Sequence, residues 1–371
     1  MSPIDRRILT HMNWGLIAMT LLLFGVGVAN LYSASGFRVD DGIAVSSFYS
    51  KQLLWGAVGM GGMLAVMLFD YRHLKSLAWP VFIVTVLLLV AVPLFGVTVY
   101  GAKRWLSFGF FNLQPSELAK ISTLIIAARL LSRGGEPLDW GELFKILGIC
   151  LIPAALIVTQ PDLGTTLNVL LNVGGVILYR GIARHVFKTC IIALPPLIPL
   201  GWFVLHDYQK QRILTFLDPG RDPLGAGYHI IQSQIAIGSG QIWGKGFLGG
   251  TQSQLRFLPE KHTDFAVAVF GEEWGFIGNM ILLGLFCLFL LAIFNSARDA
   301  KDRFGSFLCA GVFFYFFWQI LINMGMVVGL MPVVGIPLPF ISYGGSATIV
   351  NFCLIGLVLN VSMRRFVFKA S

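Results

Sequence analysis

The feature that most constrains this chain is a series of apolar runs of about 20 residues, which recurs along almost its whole length. A helix of that length crosses the hydrocarbon core of a bilayer, which is about 30 Å thick. Only 12% of the residues are charged, against about a quarter in a soluble domain, and the mean hydropathy is +0.78. These properties predict an all-α polytopic membrane protein. Because 371 residues leave no room for a separate soluble domain, residues 1–371 are predicted to form one integral membrane domain.

Ten spans are predicted from the apolar runs. Arg6 and Arg7 precede the first run, which lacks a small-residue cleavage site and is too long for a signal peptide, so we expect it to be retained. The predicted spans lie at about 12–32, 48–69, 78–99, 116–133, 143–159, 165–181, 186–205, 265–295, 305–329 and 346–362.

The distribution of basic residues predicts the orientation. If the N-terminus is cytoplasmic, each short segment on that side contains Lys or Arg, ending with Arg364 and Arg365. The short segments around 160–165 and 330–345, on the opposite side, contain neither. This asymmetry follows the positive-inside rule, and an even number of spans places both termini in the cytoplasm.

The net charge of +9 would suggest nucleic-acid binding in a soluble protein. Here the basic residues follow the predicted membrane topology, so we expect no nucleic-acid partner. The five cysteines lie in apolar stretches without C-x-x-C spacing. This pattern argues against a disulfide framework or a zinc site, and no metal-binding residues are predicted.

A long segment, roughly 206–264, separates the seventh and eighth spans on the predicted outer side. Long segments cross a membrane regardless of their charge, so its lysines and arginines do not contradict the topology. Its sequence GAGYHIIQSQIAIGSG is rich in apolar and β-branched residues, which argues against disorder. We expect short helices that lie on the outer membrane surface or dip into it.

Unusual polar residues stand in four stretches on this same side. The first, YGAKRWLSFGFFNLQPSELAK, leads into the fourth span. Glu117 suits the positive end of that helix, which is one interpretation. Lys120 lies one turn deeper and three residues away, so both side chains share a face. A cation at this depth usually faces a cavity or an acidic partner, which is the other interpretation.

Two further stretches each allow a local and a functional interpretation. In TQPDLGTT, Asp162 either caps the sixth span or belongs to a site. In the long outer segment, Arg212 either binds an anionic group or is a solvated charge. The fourth stretch, GLMPVVGIPLPFISYGGSA, contains three prolines where a span should begin. Irregular backbone of this kind is tolerated in a membrane only inside protein or beside a watery cavity.

The sequence FLPEKHTDFAVAVFGEEWG, residues 257–275, ends the long segment. Asp264 precedes the apolar run and could be a helix cap or a catalytic acid. Glu272 and Glu273 follow roughly 12 Å along the helix, where a carboxylate must be paired, protonated or solvated. Lys120 is one partner that the pattern allows. Together, the four stretches predict a site at the outer face.

These motifs, with LYSASG near the start, closely resemble the shape, elongation, division and sporulation family of bacterial membrane proteins. The resemblance covers nearly the whole chain, and PVVGIPLPFISYGGSA is more similar to the elongation member than to its division paralogue. It implies ten membrane helices in the bacterial inner membrane. It also implies a peptidoglycan glycosyltransferase that polymerises lipid II during cell elongation and rod-shape maintenance, and releases undecaprenyl diphosphate. The implied partners are a class B penicillin-binding protein and elongation-complex proteins.

The resemblance also implies roles for individual residues. Asp264 of the HTDF motif is the implied catalytic residue, and Arg104, Glu117 and Lys120 match further functional positions. The remaining candidate substrate-binding residues are Asp162, Arg212, Glu260, His262 and Ser342. The cofactor is left open, with a divalent cation as one candidate for neutralising the diphosphate.

Three rival functions remain at this point: a lipid II flippase, the division paralogue's role, and a non-catalytic scaffold. A flippase needs polar groups through both halves of the bilayer, whereas these motifs gather on one side. A scaffold would not require the acidic and basic residues of the four stretches.

Overall fold

The computed structural model describes residues 12–35, 48–99, 102–107, 112–134, 137–204, 207–222, 225–254, 257–258 and 260–365. The first seven helices are α1 (Trp14–Ser35), α2 (Phe48–Leu68), α3 (Arg72–Phe95), α4 (Pro115–Leu131), α5 (Trp140–Val158), α6 (Leu163–Arg180) and α7 (Arg184–Val204). They are followed by α8 (Asp207–Leu217), α9 (Ala226–Ser239), α10 (Thr251–Gln254), α11 (Ala266–Arg298), α12 (Arg303–Val327) and α13 (Gly345–Met363).

Each predicted span coincides with one of the longer helices, which confirms a helical, multi-pass membrane fold. Within the described ranges, seven helices are long and apolar enough to cross a bilayer. These seven are α1, α2, α3, α5, α11, α12 and α13. Helices α4, α6 and α7 fall outside this group, and the number of ten spans stays a prediction.

The centre of the bundle is formed by α12 and α13. Both are apolar on every face and largely buried, as expected for helices surrounded by protein. Helix α2 packs along α13, where Gly59 leaves space for the ring of Phe352. Phe24 of α1 meets the same ring edge to face, with 5.4 Å between the ring centroids. This packing holds the starts of α2 and α13 beside each other.

A small antiparallel sheet interrupts the otherwise helical fold between α3 and α4. Its strands are β1 (Val97–Val99), β2 (Ala102–Ser107) and β3 (Asn112–Leu113), in the order β1-β2-β3. The sequence analysis did not predict these strands. The sheet matters for the site because β2 contains Arg104 and Trp105.

The long segment between α7 and α11 contains short helices, as expected from its composition. They are α8, a 3-10 turn (Pro219–Arg221), α9 and α10. Helix α9 packs against α11. The position of this segment at the outer membrane surface stays a prediction.

Helix α11, predicted as one continuous span, is broken at Gly275, whose φ is 65° and ψ is −161°. The turn that follows α9, around residues 241–246, supplies hydrogen-bond partners for the backbone groups that the break exposes. Phe276 N–H donates to the Gln241 carbonyl at 2.8 Å, and Lys245 N–H donates to the Glu272 carbonyl at 3.0 Å. Backbone irregularity at membrane depth is tolerated where neighbouring protein supplies such partners.

Candidate active site

A cavity of about 800 Å³ lies at one end of the bundle. Its helical lining comes from the first two or three turns of α2, α4 and α6, from the first turn of α13 and from the last third of α12. Among the residues that the sequence analysis selected, seven line it: Arg104, Glu117, Lys120, Asp162, Glu260, His262 and Asp264. The four polar stretches therefore converge on one site, although they are far apart in sequence.

Asp264 lies two residues before the start of α11 and lines the cavity. The cap of α11 is Phe265, and no side chain caps this helix, so the capping interpretation of Asp264 is wrong. The Asp264 backbone carbonyl accepts a hydrogen bond from Asn323 Nδ2 at 3.0 Å. The same amide nitrogen donates to the Ile336 carbonyl at 2.8 Å. Asn323 thus holds the irregular segment of residues 335–337 beside the carboxylate.

The pKa of Asp264 is raised to about 6. The largest cause is burial, and the negative charges of Glu260 and Asp162 act in the same direction. The positive charge of Arg212 lowers the pKa and so opposes them. A carboxyl with a pKa near 6 is mostly ionised at neutral pH and is a stronger base than an ordinary aspartate. These properties suit a general base.

Glu117 and Lys120 form a buried ion pair in the wall of the cavity. The Lys120 ammonium lies 2.8 Å from Glu117 Oε1 and 5.3 Å from the centroid of the Tyr315 ring. The prediction that the two side chains share a face is confirmed. The other carboxylate oxygen, Glu117 Oε2, is buried and has no hydrogen-bond partner among the described residues.

The proposal that Lys120 pairs with Glu272 or Glu273 is wrong, because Lys120 pairs with Glu117 and both other acids have different partners. Glu272 Oε1 is 2.7 Å from the Lys245 ammonium and also accepts a backbone N–H. Glu273 accepts a hydrogen bond from the Ser33 hydroxyl of α1. Neither acid lines the cavity. Their contacts join α11 to its neighbours.

Asp162 caps α6, as one interpretation expected, and it also lies in the cavity wall, while its role in substrate binding stays a prediction. Its carboxylate accepts from Thr165 N–H at 3.2 Å and so caps α6. The same carboxylate lines the cavity, 3.9 Å from the Arg104 guanidinium. Arg104 Nε also donates to the Gln160 carbonyl at 3.0 Å, which anchors the sheet to the start of α6. About a third of the Arg104 side chain stays exposed.

His262 and Glu260 form the rim beside Asp264. The His262 ring stacks on Phe48 with 4.3 Å between centroids. Burial, and to a lesser degree the charge of Lys261, lowers the pKa of His262 to about 4, so its ring is neutral near pH 7. Glu260 is exposed and accepts a hydrogen bond from the Thr263 hydroxyl at 3.0 Å.

Arg212 and Ser342 lie outside the described lining. The Arg212 guanidinium donates to the Val333 carbonyl at 3.1 Å, next to the segment that faces Asp264. The buried Ser342 hydroxyl accepts from the Leu338 N–H at 2.9 Å. That contact stabilises the turn before α13. Direct substrate contacts by these two residues stay predictions.

The lining also contains polar and aromatic residues that the sequence analysis did not select, among them Trp55, Asn168 and Gln319. Asn168 and Gln319 did carry a signal, because polar side chains inside apolar helices usually face a cavity or another polar group. Trp55 carried none, since an aromatic residue in a predicted span is more often a packing residue. Among the described residues, no group of three or more His, Cys, Asp or Glu side chains is arranged to hold a metal.

Known proteins match this chain in sequence and in fold. The family model for FtsW, RodA and SpoVE, described as a cell cycle protein, matches residues 13–366. Peptidoglycan glycosyltransferase MrdB of Escherichia coli K12 is 41% identical, with 94% of this chain and 92% of MrdB covered. Peptidoglycan glycosyltransferase RodA of Treponema pallidum is 33% identical, with 94% and 97% covered.

A solved structure shares the fold as well. It is described as showing structural coordination of polymerization and crosslinking by a peptidoglycan synthase complex. One of its chains superposes with a TM-score of 0.81 at 31% identity, covering 96% of this chain and 98% of the solved one. The resemblance seen in the motifs is confirmed: this chain is a multi-pass inner-membrane protein of the FtsW, RodA and SpoVE family.

Proposed function

We propose that this chain is a peptidoglycan glycosyltransferase that polymerises lipid II into glycan strands during cell elongation and the maintenance of rod shape. The observation that supports this most directly is the Asp264 carboxyl. It faces a cavity with acidic and basic walls, and its pKa is about 6. Relatives named MrdB and RodA favour the elongation role over the division role.

The proposed reaction replaces one bond to the anomeric carbon of the donor sugar with another. Asp264 takes the proton from the acceptor hydroxyl as its oxygen attacks that carbon. The bond between the carbon and the diphosphate oxygen breaks, and undecaprenyl diphosphate leaves with the bonding electrons. A positioned base of this kind typically contributes 10²–10⁴-fold to the rate.

The leaving diphosphate needs positive charge around it. Arg104 is the lining cation best placed for this, because about a third of its side chain is exposed and Asp162 is 3.9 Å away, at the outer limit of an ion pair. Lys120 is less available, since Glu117 lies 2.8 Å from it and balances its charge. A divalent cation would arrive with the diphosphate oxygens, and the chain's own described residues offer no ready-made site for it.

The position of the cavity argues against a flippase. Its lining stays within the first two or three turns of four helices and the last third of a fifth, so its polar groups occupy one end of the bundle. A transport path would continue towards the other end. A non-catalytic scaffold, in turn, does not need a carboxyl of raised pKa in the wall of a cavity.

A class B penicillin-binding protein and elongation-complex proteins are the proposed partners. A glycan strand made by this chain needs a second enzyme for cross-linking, and the similar solved chain belongs to a peptidoglycan synthase complex. Affinity purification in mild detergent should recover a single-span penicillin-binding protein. Repeated purification without one would contradict this partner.

The activity is tested with purified protein and lipid II, and glycan strands are separated on a gel. The unmodified chain should polymerise lipid II, whereas Asp264→Asn should make almost none. Asn keeps the shape of the side chain but cannot accept the proton. Folding of the variant is checked by thermal unfolding. Normal polymerisation by Asp264→Asn would remove Asp264 as the base, and failure of the unmodified chain would contradict the function itself.

A further inference from the structure

Asn168 on α6 is an unexplained polar group in the wall of the cavity. Its side chain is 1% exposed, yet neither Oδ1 nor Nδ2 has a hydrogen-bond partner among the described residues. A buried carboxamide without partners destabilises the folded state, and native proteins rarely leave both atoms unsatisfied. Because Asn168 lines the cavity, a bound molecule can supply the missing partners.

Asn168 lies at the same depth as the ion pair on α4, a helix that packs against α6. Asn168 is the sixth residue of α6, and Lys120 is the sixth residue of α4. With about 1.5 Å of rise per residue, both lie roughly 7–8 Å below the start of their helices. Glu117 Oε2, one turn above Lys120, is also unpartnered. At this depth the cavity wall contains one donor without a partner, Asn168 Nδ2, and two acceptors without partners, Asn168 Oδ1 and Glu117 Oε2.

This set of atoms selects against a phosphate group. A diphosphate brings only acceptor oxygens and negative charge. It would satisfy Asn168 Nδ2 but leave Asn168 Oδ1 and Glu117 Oε2 without donors. A neutral group that both donates and accepts satisfies the carboxamide completely. A secondary amide does so, because its N–H and C=O match the Oδ1 and Nδ2 of an asparagine.

We propose that Asn168 binds the acetamido group of a peptidoglycan sugar and is a specificity-determining residue for the lipid-linked substrate. This inference rests on the proposed function, since the sugars of peptidoglycan carry an acetamido group at carbon 2. Carbon 2 adjoins the anomeric carbon. A pair of hydrogen bonds at the acetamido group therefore fixes the sugar ring close to the reacting bond, and places the diphosphate nearer the cavity mouth and Arg104.

The test compares lipid II with two analogues, each with one acetamido group replaced by a hydroxyl. The unmodified chain should lose about 10–100-fold in kcat/KM with one of the two analogues, because two hydrogen bonds to a buried carboxamide are lost. Asn168→Leu should lose a similar factor with natural lipid II. It should then show little further discrimination between lipid II and the sensitive analogue.

Asn172→Leu is the matched control. Asn172 lies one turn further along α6, is buried with an unpartnered Oδ1, and is outside the cavity lining. This variant should discriminate between lipid II and the analogue as the unmodified chain does. Asn168→Asp keeps the side-chain shape but removes the donor, so it should retain folding and lose part of the discrimination. It serves as the test if Asn168→Leu does not fold.

The proposal is overturned if the unmodified chain uses both analogues as well as lipid II. It is also overturned if a folded Asn168 variant discriminates as strongly as the unmodified chain, which would mean that water fills the pocket beside Asn168. Polymerisation of natural lipid II by the unmodified chain tests the proposed function separately. Failure of one proposal is therefore distinguishable from failure of the other.

Discussion

The Lys245 ammonium, in the turn before α10, lies 2.7 Å from Glu272 Oε1, one turn before the break in α11. The Glu272 side chain is completely buried, and the same oxygen accepts from the Thr251 hydroxyl at 3.1 Å and the Gln252 N–H at 2.9 Å. These three contacts fasten the turn before α10, and α10 itself, to the broken helix. Because Asp264 stands at the start of this helix, the contacts also stabilise the cavity wall.

Lys245→Met is expected to destabilise the protein by up to about 3 kcal/mol, since it leaves a buried carboxylate without its cation. The effect should lie at the low end for buried pairs because about a quarter of the Lys245 side chain is exposed. Thermal unfolding in detergent measures it. The double variant Lys245→Met/Glu272→Gln removes both charges and should recover part of the loss. Lys103→Met, at an exposed lysine that bonds a backbone carbonyl, is the control and should have little effect.

The rate of polymerisation should fall as the pH drops through about 6, where Asp264 takes up a proton and stops acting as a base. Glu260→Gln removes a negative charge that raises the pKa of Asp264, so the acidic limb should move to lower pH. Arg212→Gln removes an opposing positive charge and should move it to higher pH. A pH–rate profile of each variant measures these shifts. Identical profiles would mean that another group controls the rate.

Asp264→Asn should not lower the melting temperature at neutral pH. The pKa of Asp264 is higher in the folded protein than its ordinary value, so the folded state binds the proton more tightly than the unfolded chain. Ionisation as the pH rises through about 4 to 6 therefore reduces stability, and the neutral amide avoids this loss. A lower melting temperature would indicate a structural role for the carboxylate.

The ion pair of Glu117 and Lys120 is expected to serve the reaction as well as stability. Lys120→Met leaves Glu117 buried and unpaired, and should reduce both stability and activity. The double variant Glu117→Gln/Lys120→Met removes both charges, so it should recover stability while polymerisation stays low. Unfolding and gel assays distinguish the two effects. Recovery of both properties would reduce the pair to a packing role.

Gly164 is expected to be essential for the shape of the cavity. A Cβ at this position would lie 2.7 Å from the Val334 carbonyl oxygen, so Gly164→Ala must displace the segment of residues 335–337 that faces Asp264. Polymerisation should fall sharply. Gly174→Ala on the same helix is the control, since nothing lies within 4 Å of its added Cβ, and it should stabilise the helix by roughly 0.5–1 kcal/mol. Equal activity of the two variants would contradict this account.

The predicted topology places the turn around Lys245 outside the cell and the segment around Lys301 inside it. In a chain with its native cysteines replaced, Trp243→Cys should react with an impermeant thiol reagent in intact spheroplasts. Lys301→Cys should react only after lysis. Both positions are exposed in the structure, so burial does not interfere with the labelling. The reverse pattern would overturn the orientation.

The sequence by itself determined the class of fold. Apolar runs long enough to cross a bilayer must become helices there, because no other local structure satisfies their backbone groups in lipid. Local spacing likewise determined the pairing of Glu117 with Lys120, since residues three apart meet on one helix face. The capping of α6 by Asp162 follows from the same short-range geometry.

The tertiary structure alone decided which distant groups meet. Lys245, not Lys120, pairs with Glu272, because the break at Gly275 admits the turn that carries it. Asn323 brings Asp264 together with Ile336, which lies 72 positions further along the chain. Such contacts depend on how the helices pack and on individual glycines such as Gly275. The local periodicity of a sequence predicts neither of them. Asp264 is therefore a candidate base rather than a helix cap only because packing places its carboxylate in the cavity.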